Sequence, residues 1–188
     1  MRTLIGEGSY EWPAGPWLRA NMVTTVDGSA VGPDGLTGTI NNEADHMVFD
    51  LLREGADALI VGAGTVRAEG YVGIGKQMVV VGHSLPERLH GEADVRLATG
   101  GDADELRALV TGLYQEGFTS LLCEGGPTLL SCLMRAGVVD ELCVTITPVV
   151  IGGEGRRITV GPLFDAELRL AGLIEDDGTL LARYLVVR

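Results

Sequence analysis

The 188-residue chain carries 26 acidic against 14 basic residues, a formal charge of −12. That balance disfavours nucleic acid as a partner, although a small anion can still bind locally, because charges beyond about 8 Å are largely screened at physiological salt. No apolar run approaches the ~20 residues that span a bilayer, and Met1 to Trp17 lacks a cationic start followed by an apolar core, so no membrane partner is expected. Cys123, Cys132 and Cys143 lie in apolar segments without a Cys-x-x-Cys pair and read as reduced core residues of a cytoplasmic protein. His46, His83 and His90 lack metal-ligand spacing, so no metal is expected. The length suits one domain over 1–188.

Trp17 to Val26 has strand character. A helix is predicted from about Asn42 to Glu54, capped by Asn41 or Asn42, with Ala44, Met47, Val48, Leu51 and Leu52 on its core face and Gly55 at its end. Leu59 to Val61, Met78 to Val81 and Leu121 to Cys123 are apolar without alternation, as in parallel strands covered on both faces. Val95 to Thr99 reads as a strand. A second helix spans about Asp102 to Glu116, where Asp102 and Glu105 resemble a capping box and Gly117 is the stop. A third follows Pro127 and ends near Gly137. Leu142 to Ile151 is a strand with Leu142, Val144 and Ile146 on one face. Leu168 to Ile174 and Leu180 to Val187 form a hairpin across Glu175 to Thr179, whose Asp-Gly pair fits a tight reversal. Helices and strands alternate until Leu142, which predicts an α/β sheet, mostly parallel, with an antiparallel C-terminal edge.

The chemistry-bearing stretch is Leu121 to Leu130, where a buried strand breaks at Glu124-Gly125-Gly126-Pro127 and a helix begins. Glycines permit close backbone approach, Pro127 suits the first helical position, and the amides of Thr128 and Leu129 would face an anion such as a pyrophosphate. Glu124 would repel that anion and must point elsewhere, so the site holds two ligand parts. Gly62-Ala63-Gly64-Thr65-Val66 offers a second glycine turn at the carboxyl end of its own strand, with the Thr65 hydroxyl as a donor. It is not a Rossmann fingerprint, because Arg67 stands at the third glycine. Gly70 to Gln77 approaches a P-loop pattern, yet Gln77 replaces the Mg²⁺-binding hydroxyl and a strand follows.

Three blocks together resemble the reductase domain of riboflavin biosynthesis, which has a dihydrofolate reductase-like fold. They are Arg19 to Gly28; Leu51 to Arg53 with Val61 to Tyr71; and Glu124 to Leu129 leading to Gly137 to Leu142. The match is nearer to stand-alone pyrimidine reductase-like proteins, with no deaminase domain expected. The resemblance implies a homodimer that uses NADPH to reduce 5-amino-6-(5-phosphoribosylamino)uracil, with no catalytic residue assigned. It places Gly125, Gly126, Pro127, Thr128, Leu129 and Leu130 around the cofactor pyrophosphate. Thr39, Asn41, Gly64, Thr65 and Glu69 line the rest of the cofactor site, and His83 and Ser84 stand near its 2′-phosphate. Glu124 would face the pyrimidine N–H groups, while Arg53, Lys76 and Thr37 would meet the substrate phosphate.

The chain departs from the family pattern at several positions. Asn21 stands where the bifunctional enzymes usually carry lysine, Lys76 replaces an arginine, and Glu69-Gly70-Tyr71 replaces an acidic pair followed by proline. Asp27 reads either as a site residue or as an Asp-Gly turn. Two rival functions keep the fold: reduction of a pteridine such as dihydrofolate, and non-catalytic binding of NADPH.

Overall fold

The computed structural model describes residues 2–6 and 10–188. In chain order the elements are β1 (Arg2–Gly6), β2 (Trp17–Thr25), α1 (Glu43–Gly55), β3 (Ala58–Gly62), α2 (Ala63–Glu69), β4 (Gln77–Val81) and β5 (Val95–Ala98). Then come α3 (Ala103–Gln115), β6 (Ser120–Cys123), α4 (Pro127–Arg135), β7 (Glu141–Thr147), β8 (Leu168–Asp176) and β9 (Thr179–Val186). The strands form one nine-stranded sheet in the order β1-β8-β9-β7-β2-β6-β3-β4-β5. Pairing is parallel from β7 through β5 and antiparallel among β7, β9, β8 and β1, as the change of pattern after Leu142 anticipated.

The sheet separates two apolar layers. On one face Leu18, Ala20, Ile60, Val79, Leu121 and Cys123 pack against Leu106, Val110 and Leu113 of α3 and Leu130 and Leu133 of α4. On the other, Leu59, Val61, Met78, Val80 and Leu122 meet Ala44, Val48 and Leu52 of α1. Successive strand residues point to opposite faces, so a strand covered on both sides is apolar at every position. Each fully buried leucine contributes about 1.5–3 kcal/mol.

The helices start and stop for local reasons. The side chain of Asn42 caps α1 by accepting from the Asp45 amide. Asp102 and Glu105 close a reciprocal capping box on α3, and Gly117 turns the chain away with φ +97°. One expectation is corrected on α1: Met47 and Leu51 are about half exposed, because the buried stripe is Ala44, Val48 and Leu52, joined by the polar Asp45. β7 also ends earlier than expected, at Thr147, ahead of Pro148, and both of its faces are buried. The β8–β9 reversal is tighter than expected, with Asp176 paired to Thr179 and positive φ at Asp177 and Gly178. β1 and α2 were not anticipated.

Beyond the apolar layers, a buried ion cluster ties β2, β7 and β9. The Arg19 Nε donates to Glu141 at 2.9 Å, the Arg183 Nε donates to the other carboxylate oxygen at 2.7 Å, and the Trp17 indole donates at 3.1 Å. Arg19 also reaches the carbonyls of Tyr10 and Glu11 and lies 4.5 Å from the Trp12 ring centre. Burial pushes the Glu141 carboxyl up, but the two guanidinium groups outweigh it and hold it below its ordinary value.

Candidate active site

Register places the site. Ala20 on β2 and Ile60 on β3 both pair with Cys123, so the chain leaves β6 at Glu124 between the two neighbouring strands. Leu121 and Cys123 face α3 and α4 while Leu122 faces α1, and alternation therefore turns Glu124 toward α1. There it meets Arg53 in the last turn of that helix. The Arg53 Nε donates to Glu124 Oε1 at 2.6 Å and Nη2 donates to Oε2 at 2.7 Å. The guanidinium stands 4.0 Å from the Phe49 ring centre and 5.1 Å from that of Tyr71. Burial would lower the Arg53 pKa, but the bonds to Glu124 raise it above its ordinary value. The Tyr71 phenol is driven well up, first by burial and then by the Glu124 charge.

Two adjoining cavities open at this carboxyl edge of the sheet. The first, about 420 Å³, is lined by Asn21, Asp45, Phe49, Arg53, Tyr71 and Glu124 among others. The second, about 330 Å³, runs over α2 and the start of α4, past Gly100 and Gly101. Gly64, Thr65, Gly126, Pro127 and Arg156 line both. Open α/β sheets bind ligands at this edge.

The glycine turn between the cavities is tightly built. Gly125 has φ +81°, its carbonyl accepts from the Gly62 amide at 2.7 Å, and the Gly125–Gly126 peptide is cis. A Cβ on Gly126 would lie 2.5 Å from the Thr65 hydroxyl, so only glycine keeps this approach. Gly126 supplies no capping side chain to α4, which leaves the first amides of that nine-residue helix as donors beside the second cavity.

Most of the anticipated site residues are brought together. Thr37, Asn41, Arg53, Gly64, Thr65, Glu69, Glu124, Gly126 and Pro127 line the first cavity, and Thr128 and Leu129 line the second. Glu69 accepts from the Thr37 amide at 3.0 Å and so fixes the turn at Thr37 to Thr39 against α2. Thr39 itself is exposed and donates to Asp34, off both cavities.

Others stand apart from the cavities. Lys76 lines neither: its ammonium donates to the carbonyls of Arg53, Glu54 and Ala56 at 2.8, 2.5 and 2.8 Å, which corrects its role from phosphate contact to helix cap. A lysine offers three donors, and the end of α1 takes all of them. Leu130 is a fully buried core residue facing α3, so its side chain reaches no ligand. His83 and Ser84 are exposed beyond β4 and line neither cavity. Asp27 proves to be a turn residue that also holds a loop: it accepts from the Thr25 hydroxyl and from the amides of Ile151 (3.1 Å) and Gly152 (2.6 Å). Those bonds lower its pKa.

Some lining residues escaped sequence reasoning. Asp45 and Phe49, with the anticipated Arg53, repeat at i, i+4 and i+8 and form one stripe of α1 along the cavity. The spacing was visible, but counting Met47 and Leu51 as core rotated the helix. Arg156 lies in an irregular loop and left no pattern; the Ala30 amide donates to its carbonyl, which brings it over both cavities.

Residues 16–181 match the family model of the RibD C-terminal domain. The chain belongs to this family. It is 27% identical over 150 residues to the riboflavin biosynthesis protein RibD of Mycobacterium tuberculosis, covering 73% of this chain and 44% of that protein. It thus spans less than half the length of that curated relative. It is 28% identical over 183 residues to the 2,5-diamino-6-ribosylamino-4(3H)-pyrimidinone 5′-phosphate reductase of Archaeoglobus fulgidus, covering 74% and 83% of the two chains. Among solved structures, a pyrimidine reductase-like protein of Corynebacterium diphtheriae superposes with a TM-score of 0.78 at 22% identity, covering 92% of each chain. Dihydrofolate reductase of Enterococcus faecalis superposes at 0.60 and 13% identity, covering 92% and 97%. The RibD C-terminal domain fold of this chain is therefore dihydrofolate reductase-like, as the three sequence blocks implied.

No helix among the described residues is long and apolar enough to cross a membrane.

Proposed function

We propose that this RibD C-terminal domain reduces 5-amino-6-(5-phosphoribosylamino)uracil with NADPH, as a cytoplasmic homodimer. The observation that carries this reading is Glu124, a buried carboxylate of the first cavity, held by Arg53 on one side and followed on the other by the glycine turn whose Gly126 and Pro127 line both cavities. One cavity suits a flat ring with N–H donors, and the other suits a long anionic cofactor.

The residues present fit a dinucleotide. Gly126 keeps the backbone open beside Thr65, the first amides of α4 are free to donate to a pyrophosphate, and Arg156 adds positive charge where the cavities meet. When bound, NADPH supplies the hydride, and the chain's task is to orient the substrate carbon toward the nicotinamide and exclude water. Arg53 donates two of its five N–H groups to Glu124 and also meets the Tyr71 phenol, which leaves further donors for the ribosyl phosphate. The Archaeoglobus relative, named a ribosylaminopyrimidinone phosphate reductase, supports the substrate class.

The test is to follow NADPH absorbance with the uracil substrate, with its 2,5-diaminopyrimidinone counterpart and with dihydrofolate. Oxidation with a ribosylaminopyrimidine phosphate is the expected result. Turnover of dihydrofolate alone would favour the pteridine reading, and tight NADPH binding without oxidation of any substrate would leave a non-catalytic binding protein.

A further inference from the structure

The irregular segment between β7 and β8 crosses the site as a strap. Asp27 accepts from the amides of Ile151 and Gly152 at 3.1 and 2.6 Å, the Ala30 amide donates to the Arg156 carbonyl at 2.5 Å, and the Val160 amide donates to the Pro127 carbonyl at 3.2 Å. Gly155 lies so close to Ser29 that an added Cβ would stand 2.5 Å from its hydroxyl. Ala30 lines the first cavity and Pro127 lines both, so the strap is tied on the substrate side and again at the start of α4. Between those two ties stands Arg156, which lines both cavities.

Its charge is unpaired. Arg53, the other arginine of the first cavity, is bound to Glu124, whereas among the described residues no hydrogen bond or ion pair holds the Arg156 guanidinium. Arg156 is also the only charged side chain among the described residues that line the second cavity, where the other N–H and O–H donors are backbone amides and the hydroxyls of Thr65 and Thr128. An anion in that cavity therefore meets fixed peptide dipoles and a single counter-charge. The adjacent Arg157 is equally exposed and lines neither cavity, so this placement belongs to Arg156 alone.

We propose that Arg156 is a ligand shared by the two cavities, donating to the cofactor pyrophosphate on one side and to the substrate on the other, so that each ligand tightens the binding of the other. The inference rests on the pyrimidine reductase reading. An exposed arginine without a partner samples many rotamers, and the first ligand to engage it bears the entropy of ordering it. The second ligand then meets a guanidinium already in place, whose five N–H groups suffice for two acceptors. Two anions in adjoining cavities repel each other, and a cation between them offsets that repulsion. Arg53 cannot take this part, because it lines only the first cavity and is turned to Glu124.

The experiment measures equilibrium binding of NADP⁺, which has no hydride to transfer, with and without saturating ribosylaminopyrimidine phosphate, and then the reverse titration. Wild type, Arg156→Ala, Arg156→Gln and Arg157→Ala are compared, with melting temperatures of the unloaded proteins. In wild type each ligand should tighten the other about three- to tenfold, by the same factor in both directions. Both Arg156 variants should melt with wild type, because no protein partner of the guanidinium is lost. They should bind NADP⁺ alone about three- to tenfold more weakly and show a mutual factor below about twofold. Arg157→Ala should keep the wild-type factor. Coupling retained in full by both Arg156 variants, or a wild type that binds the two ligands independently, would overturn the proposal and leave the reductase reading intact. A wild type that binds no ribosylaminopyrimidine phosphate, with or without NADP⁺, would overturn both.

Discussion

Arg53 and Glu124, 71 positions apart, are joined by two parallel hydrogen bonds of 2.6 and 2.7 Å at the wall of the larger cavity. Sequence reasoning gave these side chains separate tasks, one on the phosphate and one on the ring. The bond between them makes the carboxylate a fixed acceptor, since planar guanidinium and carboxylate groups lock in one orientation.

Glu124→Gln keeps the shape but loses the charge and one acceptor oxygen. It should lower kcat for the pyrimidine by about 100-fold while changing the NADPH dissociation constant by less than about threefold. Steady-state kinetics and direct cofactor titration measure the two quantities. Loss of cofactor binding would place the carboxylate in the wrong cavity.

Gly126→Ala should weaken NADPH binding by about tenfold or more, because the added methyl meets the Thr65 hydroxyl at 2.5 Å. The Thr65 Cβ is 3.9 Å away, so cutting the side chain back to Cβ relieves the clash. The double variant Gly126→Ala, Thr65→Ala should therefore bind NADPH better than Gly126→Ala alone. Fluorescence titration of the three proteins tests this, and the reverse order would count against the close approach.

Lys76→Ala removes three hydrogen bonds to the end of α1 and should cost about 0.3–1 kcal/mol of stability. Its KM for a phosphorylated substrate should stay at the wild-type value, whereas Arg53→Ala should raise that KM. Denaturant unfolding and initial rates distinguish the two roles of these cations.

Glu141→Gln leaves Arg19 buried without its counter-charge and should destabilise the fold by about 3–5 kcal/mol. The Glu141 pKa is lower in the folded protein than its ordinary 4.5, so the stability it contributes is fully present above that value and is lost as pH falls through the folded one. Wild type should therefore show a steeper loss of stability below about pH 4.5 than the variant. Urea midpoints measured across the acid range provide the check.

The parts of this chain legible from sequence share a cause: they are local. The capping box at Asp102 and Glu105, the Asp-Gly reversal and the doubly covered strands each follow from residues a few positions apart, and each is found. Lys76 and Arg53 show the limit. Both are cations near the expected phosphate, yet one is drawn to the carbonyls at the end of α1 and the other to Glu124, choices that depend on what folding brings beside them. The α1 stripe failed for a related reason. Met47 and Leu51 are apolar, but the sheet beneath them is already filled by Val48 and Leu52, and the helix turns Asp45 inward instead. Arg156 depends on Asp27 gripping a loop 124 residues away, a relationship with no local trace.

The sheet also keeps two kinds of change apart. Asn21, Asp45, Phe49, Arg53 and Glu124 belong to the layer beneath α1, whereas the donors of the second cavity sit at the start of α4 on the opposite layer. On the proposed function, a lineage can rewrite one layer, exchanging a lysine for an asparagine or reshaping the stripe of α1, and acquire a new substrate while the donors at the start of α4 stay as they are.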